Sequence, residues 1–127
     1  MILLDTSVLI EYFRNKEKDK TFFYRLSETH SHFAISVITH YEIYVGSNLH
    51  QDVFWSQLLS SVALLPFSKD IADEAVLIRK ELLKNKKSIG FSDIAIAATA
   101  RVNNYKIATL NNKDFSVISN LQMLEML

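Results

Sequence analysis

The chain has no cysteine, a single proline and only 2 glycines in 127 residues. Without cysteine there is no disulfide, thiolate metal site or thiol nucleophile, so any metal must sit on carboxylates or on the 4 histidines. So little glycine and proline excludes collagen-like, linker-like and most disordered chains, and argues against a turn-rich β-sandwich. An excess of one charge is missing too: 14 Lys+Arg balance 14 Asp+Glu. That argues against a broad polyanion-binding coat and confines any nucleic-acid contact to a local patch. The apolar stretches near the N-terminus are broken by Asp5 and Glu11 and follow no basic segment. Neither a signal peptide nor a membrane span is expected, and the chain reads as a soluble cytoplasmic protein. What is present is apolar content of 49%, enough for one compact core, so residues 1–127 are read as a single domain.

Short apolar runs alternate with helical periodicity along the chain. Ile2-Leu3-Leu4 reads as a buried strand, followed by a polar turn at Asp5-Thr6-Ser7 and a helix carrying Val8, Leu9, Tyr12 and Phe13. A charged loop spans 15–20, and Phe22, Phe23 and Leu26 mark a second helix. A strand at 33–35 precedes Ser36, a candidate N-cap for a helix to about Asn48. A short helix at 52–60 leads to a strand at 62–65, ended by Pro66. Ser68 can cap an amphipathic helix over 71–84, and Ser92 can cap a nearly all-apolar helix over 93–101. Further strands are expected at 106–110 and, as a short fifth, at 121–127. Strands alternating with helices predict an α/β fold: a parallel sheet covered on both faces.

Ligands bind beyond the carboxyl ends of the strands in such folds. Asp5, Glu42, Asp93 and the segment from Thr109 to Asp114 all fall there. Ile38, Glu42, Val45 and Leu49 share one helix face, and a carboxylate in an apolar stripe is costly to desolvate without a partner or a metal. The plainer possibility is a half-exposed Glu paired with Lys or Arg. Asp93 could simply complement a helix dipole, and Asp5 could be an N-cap. Three carboxylates at matching positions nonetheless suit a hard dication such as Mg²⁺ or Mn²⁺, which relieves their mutual repulsion. Such an ion can lower the pKa of water and offset charge on a phosphodiester.

Other constellations are weaker. There is no Gly-rich phosphate loop and no G-x-S-x-G elbow. His30 and His32 read as solvated, and His40-Tyr41-Glu42 lacks the cysteines a zinc deaminase needs. Phe22, Phe23, Tyr24, Phe54 and Trp55 read as core or subunit interface ahead of a base-stacking platform. A basic stretch holds Arg79, Lys80, Lys84, Lys86 and Lys87. It is either a solvated helix face or a phosphate-contacting patch, in which Lys84, Lys86 and Lys87 would touch nucleic-acid phosphates. Arg14, Lys16, Lys18 and Lys20 could form a second basic rim.

These residues resemble a known family. Ile2 to Ile10 is similar to the opening of PIN-domain proteins of the VapC ribonuclease-toxin type. Ser36 to Ile43, with Gly46, resembles their second motif, Ile89 to Ala100 their third, and Ala108 to Phe115 their closing one. The resemblance implies a PIN-like three-layer α/β/α fold with a four- to five-stranded parallel sheet. It implies Asp5, Glu42 and Asp93 as metal-binding catalytic acids, with Ser92 and Thr109 as supporting polar residues. In the closing motif Asn111 stands where many members carry an acid, and Asp114 is the nearest remaining carboxylate. Asp114 is therefore a candidate fourth catalytic acid, or else a cap for the segment 115–118. Further implications are a Mg²⁺- or Mn²⁺-dependent endoribonuclease acting on structured RNA such as transfer RNA, a homodimer, and a cognate antitoxin that blocks the site. The rivals are a non-catalytic binding module with a degenerate metal site and, last, a phosphoacceptor receiver domain. The latter lacks its central Asp, because Pro66-Phe67 follows the third strand.

Overall fold

The computed structural model describes residues 1–125. Four strands, β1 (Ile2–Leu4), β2 (Phe33–Ser36), β3 (Ala63–Leu65) and β4 (Lys106–Ala108), form one parallel sheet in the order β3-β2-β1-β4. The helices are α1 (Thr6–Arg14), α2 (Phe22–Ser27), α3 (Val37–Val45), α4 (Leu49–Leu59), α5 (Lys69–Lys84), α6 (Phe91–Asn103) and α7 (Asn112–Phe115). The expected loop at 15–20 contains a 3₁₀ turn at Lys18–Lys20.

The two-residue period of a strand divides the core into two layers. Leu3, Ala34 and Ile107 point to one face, where they pack with Ile71, Ile78 and Leu82 of α5 and Ile96, Ala97 and Ala100 of α6. Ile2, Leu4, Phe33, Ile35 and Ala108 point to the other, against Val8 and Leu9 of α1, Phe22 and Phe23 of α2, and Trp55 of α4. The result is the anticipated three-layer α/β/α arrangement. In the second layer Tyr12, Phe13, Phe23, Phe33, Phe54 and Trp55 pack ring against ring, mostly edge to face, so these aromatics are chiefly core.

Two expectations need correction. No fifth strand forms among the described residues: Met123 makes one isolated parallel bridge to Ile107, and residues 126–127 of the expected strand lie outside them. The reason is the shortness of β4. Ile107 alone turns its N–H and C=O outward, donating to Gln122 O (2.9 Å) and accepting from Leu124 N (2.9 Å). Ser92 is not the cap of α6; Gly90 holds the N-cap position and the helix starts at Phe91. Some boundaries also shift: α3 stops at Gly46 rather than at about Asn48, which instead caps α4 through a capping box with Gln51.

Candidate active site

The parallel order directs the carboxyl ends of β1, β2 and β4 to one edge of the sheet, and the four acids gather at that edge. Asp5 leaves β1, Glu42 lies in α3 after β2, and Asp114 lies within α7 after β4, so it does not cap 115–118. Asp93 sits in the first turn of α6.

Asp5 occupies the N-cap position of α1, yet its carboxylate makes no capping hydrogen bond. Oδ2 instead accepts from the hydroxyls of Ser7 (2.7 Å) and Thr109 (2.7 Å). The same hydroxyls accept from the backbone N–H of Leu110 (3.1 Å) and Asn111 (2.9 Å), clamping the chain after β4 against the turn after β1. Asp5 is 3% exposed, and its Oδ1 takes no hydrogen bond among the described residues. One oxygen is anchored and the other is free to meet a cation.

Glu42 is held similarly. The Thr6 hydroxyl donates to Oε1 (2.7 Å) and lies 3.0 Å from the hydroxyl of buried Thr39. Among the described residues no Lys or Arg forms an ion pair with Glu42. The paired-surface-Glu alternative is therefore not what the fold builds.

Asp93 is the electrostatic pressure point. Its carboxyl is pushed up to about 6, first by burial and then by the charges of Asp5, Asp114 and Glu42. Asp5, Glu42 and Asp114 thus each lie within electrostatic reach of Asp93. Between two of these four acids stands Asn111, whose amide donates to Asp114 Oδ2 (3.0 Å) and, at longer range, to Asp93 Oδ2 (3.4 Å). At this corner a neutral donor bridges two acids, where another carboxylate would add to their repulsion.

No group of three or more His, Asp or Glu among the described residues is closed up in a geometry that would hold a metal ion as it stands. The donor set still fits Mg²⁺ or Mn²⁺: the donors are hard oxygens, and Mg²⁺ keeps several waters and needs only one or two carboxylates.

Thr109 is fully buried and engaged, whereas Ser92 makes no hydrogen bond among the described residues. The basic residues divide. Lys18 caps α1 by donating to the carbonyls of Tyr12 and Phe13, and Lys20 pairs with Glu17 (3.2 Å). Lys84, Lys86 and Lys87 are exposed at the C-terminal end of α5 and make no ion pair among the described residues. Sequence reasoning overlooked Thr6, Ser7 and Thr39. The only local signal was the unbroken polar run Asp5-Thr6-Ser7 between two apolar elements.

The PIN domain family model matches residues 2–121. Among curated proteins, "Ribonuclease VapC" of Rickettsia bellii is 32% identical, aligning 97% of this chain with 94% of its own. "Ribonuclease VapC1" of Methanocaldococcus jannaschii is 33% identical over 90% of this chain and 78% of its own. Among solved structures, a toxin-antitoxin complex from Klebsiella pneumoniae matches with a TM-score of 0.80 and 30% identity, covering 100% of this chain and 98% of that one. A buried acid at the end of β1, coupled acids on α3 and α6, and these matches along the chain agree: the protein belongs to the PIN-domain family, among relatives of the VapC ribonuclease type.

Proposed function

We propose that the chain is the ribonuclease toxin of a toxin–antitoxin pair, an endonuclease hydrolysing RNA phosphodiester bonds with Mg²⁺ or Mn²⁺ held by Asp5, Glu42 and Asp93. The observation that carries the metal site is the gathering of Asp5, Glu42 and Asp93 at the carboxyl edge of the sheet, with the Asp93 carboxyl raised as a consequence. A fold that gathers four acids, and sets Asp5 and Glu42 on hydroxyl clamps, bears a repulsion that a dication would relieve. A bound dication would lower the pKa of a water and neutralise charge on the phosphodiester.

The chain's own groups do the positioning. Ser7 and Thr109 orient Asp5 through Oδ2, leaving Oδ1 free of hydrogen bonds among the described residues; Thr6 orients Glu42. Asp93 must lose its proton before it serves. Asn111 lacks the charge to hold a second dication, so one tightly bound ion is expected, with Asp114 at the edge of the site. Lys84, Lys86 and Lys87 are read as RNA-phosphate contacts. Residues 1–127 act as one domain, in the cytoplasm, as a homodimer that a cognate antitoxin silences. Structured RNA such as transfer RNA is the substrate class carried by the family resemblance.

A second reading, a non-catalytic module with a degenerate site, draws on Asn111. Calorimetric titration of Mn²⁺ into wild type and Glu42→Gln, paired with cleavage of total RNA, separates the two. The nuclease reading expects one tight site and cleavage, both lost in the variant. Mn²⁺ binding that ignores Glu42, with RNA left intact, would favour the second reading.

A further inference from the structure

A cleft of about 280 Å³ opens beside Glu42, between α1, α3 and α4. Ile10, Phe13 and Ile43 give it apolar walls, and Gly46 contributes no side chain. It falls just below the ~300–1,000 Å³ of pockets that take drug-sized molecules. Its size suits one planar fragment. The ring of Phe13 lies 5.1 Å from that of Trp55, which also lines the cleft, at an interplanar angle of 26°, so this wall is rigid.

Apart from Glu42, the polar side chains around the cleft offer donors only. Arg14 ends α1, is exposed and forms no ion pair among the described residues. The indole N–H of Trp55 has no hydrogen-bond partner among the described residues, although the residue is 2% exposed. Gln51 is restricted by its place in the fold. Its Oε1 accepts from Asn48 N (3.1 Å) and its own N–H donates to Asn48 Oδ1 (2.8 Å), completing the capping box of α4. The cap uses the acceptor of Gln51 and leaves its NH₂ for something else.

The geometry points to a subsite for a single RNA base beside the scissile phosphate, in which the donor rim selects a base with an exocyclic carbonyl, such as guanine, uracil or cytosine, over adenine. This rests on the hydrolase reading above, because the cleft shares Glu42 with the acid cluster. A strand whose phosphate lay at the acids would have a neighbouring base within reach of the cleft. Apolar walls supply stacking surface without sequence preference. Arg14 meets the adjoining phosphate, and Gln51 and Trp55 read the base edge. A protein segment could also lie here, but the unpaired donors and the shared carboxylate favour the nucleotide.

Trp55 is the only tryptophan, so its fluorescence reports occupancy directly. Guanosine, uridine and adenosine 5′-monophosphates would be titrated, in chelator, into wild type, Gln51→Glu and Gly46→Leu. Gln51→Glu keeps the capping acceptor but removes the NH₂. Gly46 has φ −95°, and a new Cβ would make only ordinary contacts, the nearest 3.8 Å from Glu42 O, so the backbone accepts a side chain there without strain. Wild type should hold the guanine or uracil nucleotide roughly five-fold tighter than the adenine one, as one lost hydrogen bond implies. Gln51→Glu should erase that ratio, and Gly46→Leu should abolish quenching by all three. Mapping 5′ ends from a randomised RNA should show the same loss of preference. Equal binding of the three nucleotides by wild type, or an unchanged ratio in Gln51→Glu, overturns the subsite. So does a flat nucleotide titration together with cleft variants that weaken only antitoxin binding. If wild type cuts no RNA but the nucleotide ratio follows Gln51, the subsite stands and the hydrolase reading fails.

Discussion

Two junctions bring acids to the same edge of the sheet and are built in opposite ways. At the β1–α1 junction nearly every polar side chain is engaged: Ser7 and Thr109 hold Asp5, and Thr6 holds Glu42. At the α5–α6 junction little is engaged. The turn closes by backbone bonds from Lys86 N to Leu83 O (3.1 Å) and from Lys87 N to Leu82 O (2.8 Å), Gly90 occupies the N-cap, and Ser92 is uncommitted. Asp93 receives only the long contact from Asn111. Hydrogen bonds to a carboxylate favour its charged form, while burial among like charges disfavours it. The first junction is a fixed anchor, and the second holds a strained carboxylate whose charge a cation would offset.

Neutralising each acid in turn tests this contrast most directly. Asp5→Asn and Asp93→Asn should both lower RNA cleavage on the order of 10³-fold, beyond the 10–100-fold loss usual for an outer-shell partner. Their stabilities in chelator should diverge. Asp93→Asn removes a strained charge and should raise stability at pH 7 by ~1 kcal/mol, discounted because the group is partly solvated. Asp5→Asn leaves buried hydroxyls facing a weaker acceptor and should lower it by ~1–3 kcal/mol. Thermal melts that moved in the same direction would erase the distinction.

The pH dependence has a definite sign. An acid raised to about 6 in the fold binds more protons there than in the unfolded chain, where its ordinary value is 3.8. Metal-free stability should therefore fall as pH rises from ~4 to ~6. Metal binding needs the carboxylate, so Mn²⁺ affinity should weaken roughly five-fold from pH 6 to 5. Calorimetry across this window should show the slope in wild type and its loss in Asp93→Asn.

What was legible in the chain divides along similar lines. Asp5, Glu42 and Asp93 stood out because a carboxylate in an apolar stripe is locally anomalous. The order of strands and helices followed from short apolar runs alternating with helical periodicity. Thr6, Ser7 and Thr39 did not stand out, because a hydroxyl at a strand end looks the same whether it caps a helix or grips a carboxylate distant in sequence. The Ser7–Thr109 and Thr6–Glu42 contacts bridge 102 and 36 positions, which no local pattern records. Ser92 was misread because Gly90, two residues earlier, can adopt the N-cap conformation without a side chain. The fifth strand was misread because apolar content at 121–127 says nothing about how many outward backbone groups β4 offers.

Deleting one hydroxyl at each junction tests the contrast more finely. Thr109→Val removes a buried donor to Asp5 and should cost about 1–2 kcal/mol, with activity down 10–100-fold. Ser92→Ala should stay within ~0.5 kcal/mol, because its hydroxyl is uncommitted. Chemical denaturation with parallel cleavage assays gives both values. A Ser92→Ala loss matching that of Thr109→Val would mean the second junction is as tightly built as the first.

The smallest expected effect separates structure from binding within one residue. Lys86 sits in the left-handed region with φ 56°, just beyond α5, where Lys86 N and Lys87 N close a Schellman turn. A side chain there is strained by about 1 kcal/mol relative to glycine. Lys86→Gly should therefore raise the melting temperature by a few degrees, whereas Lys86→Gln should leave it nearly unchanged. Both remove one positive charge. If Lys86 meets an RNA phosphate, each should flatten the dependence of log affinity on log salt by about 1. Matching melting temperatures would remove the strain argument. An unchanged salt slope in both variants would return Lys86 to the solvated face of the turn, leaving Lys84 and Lys87 to be tested alone.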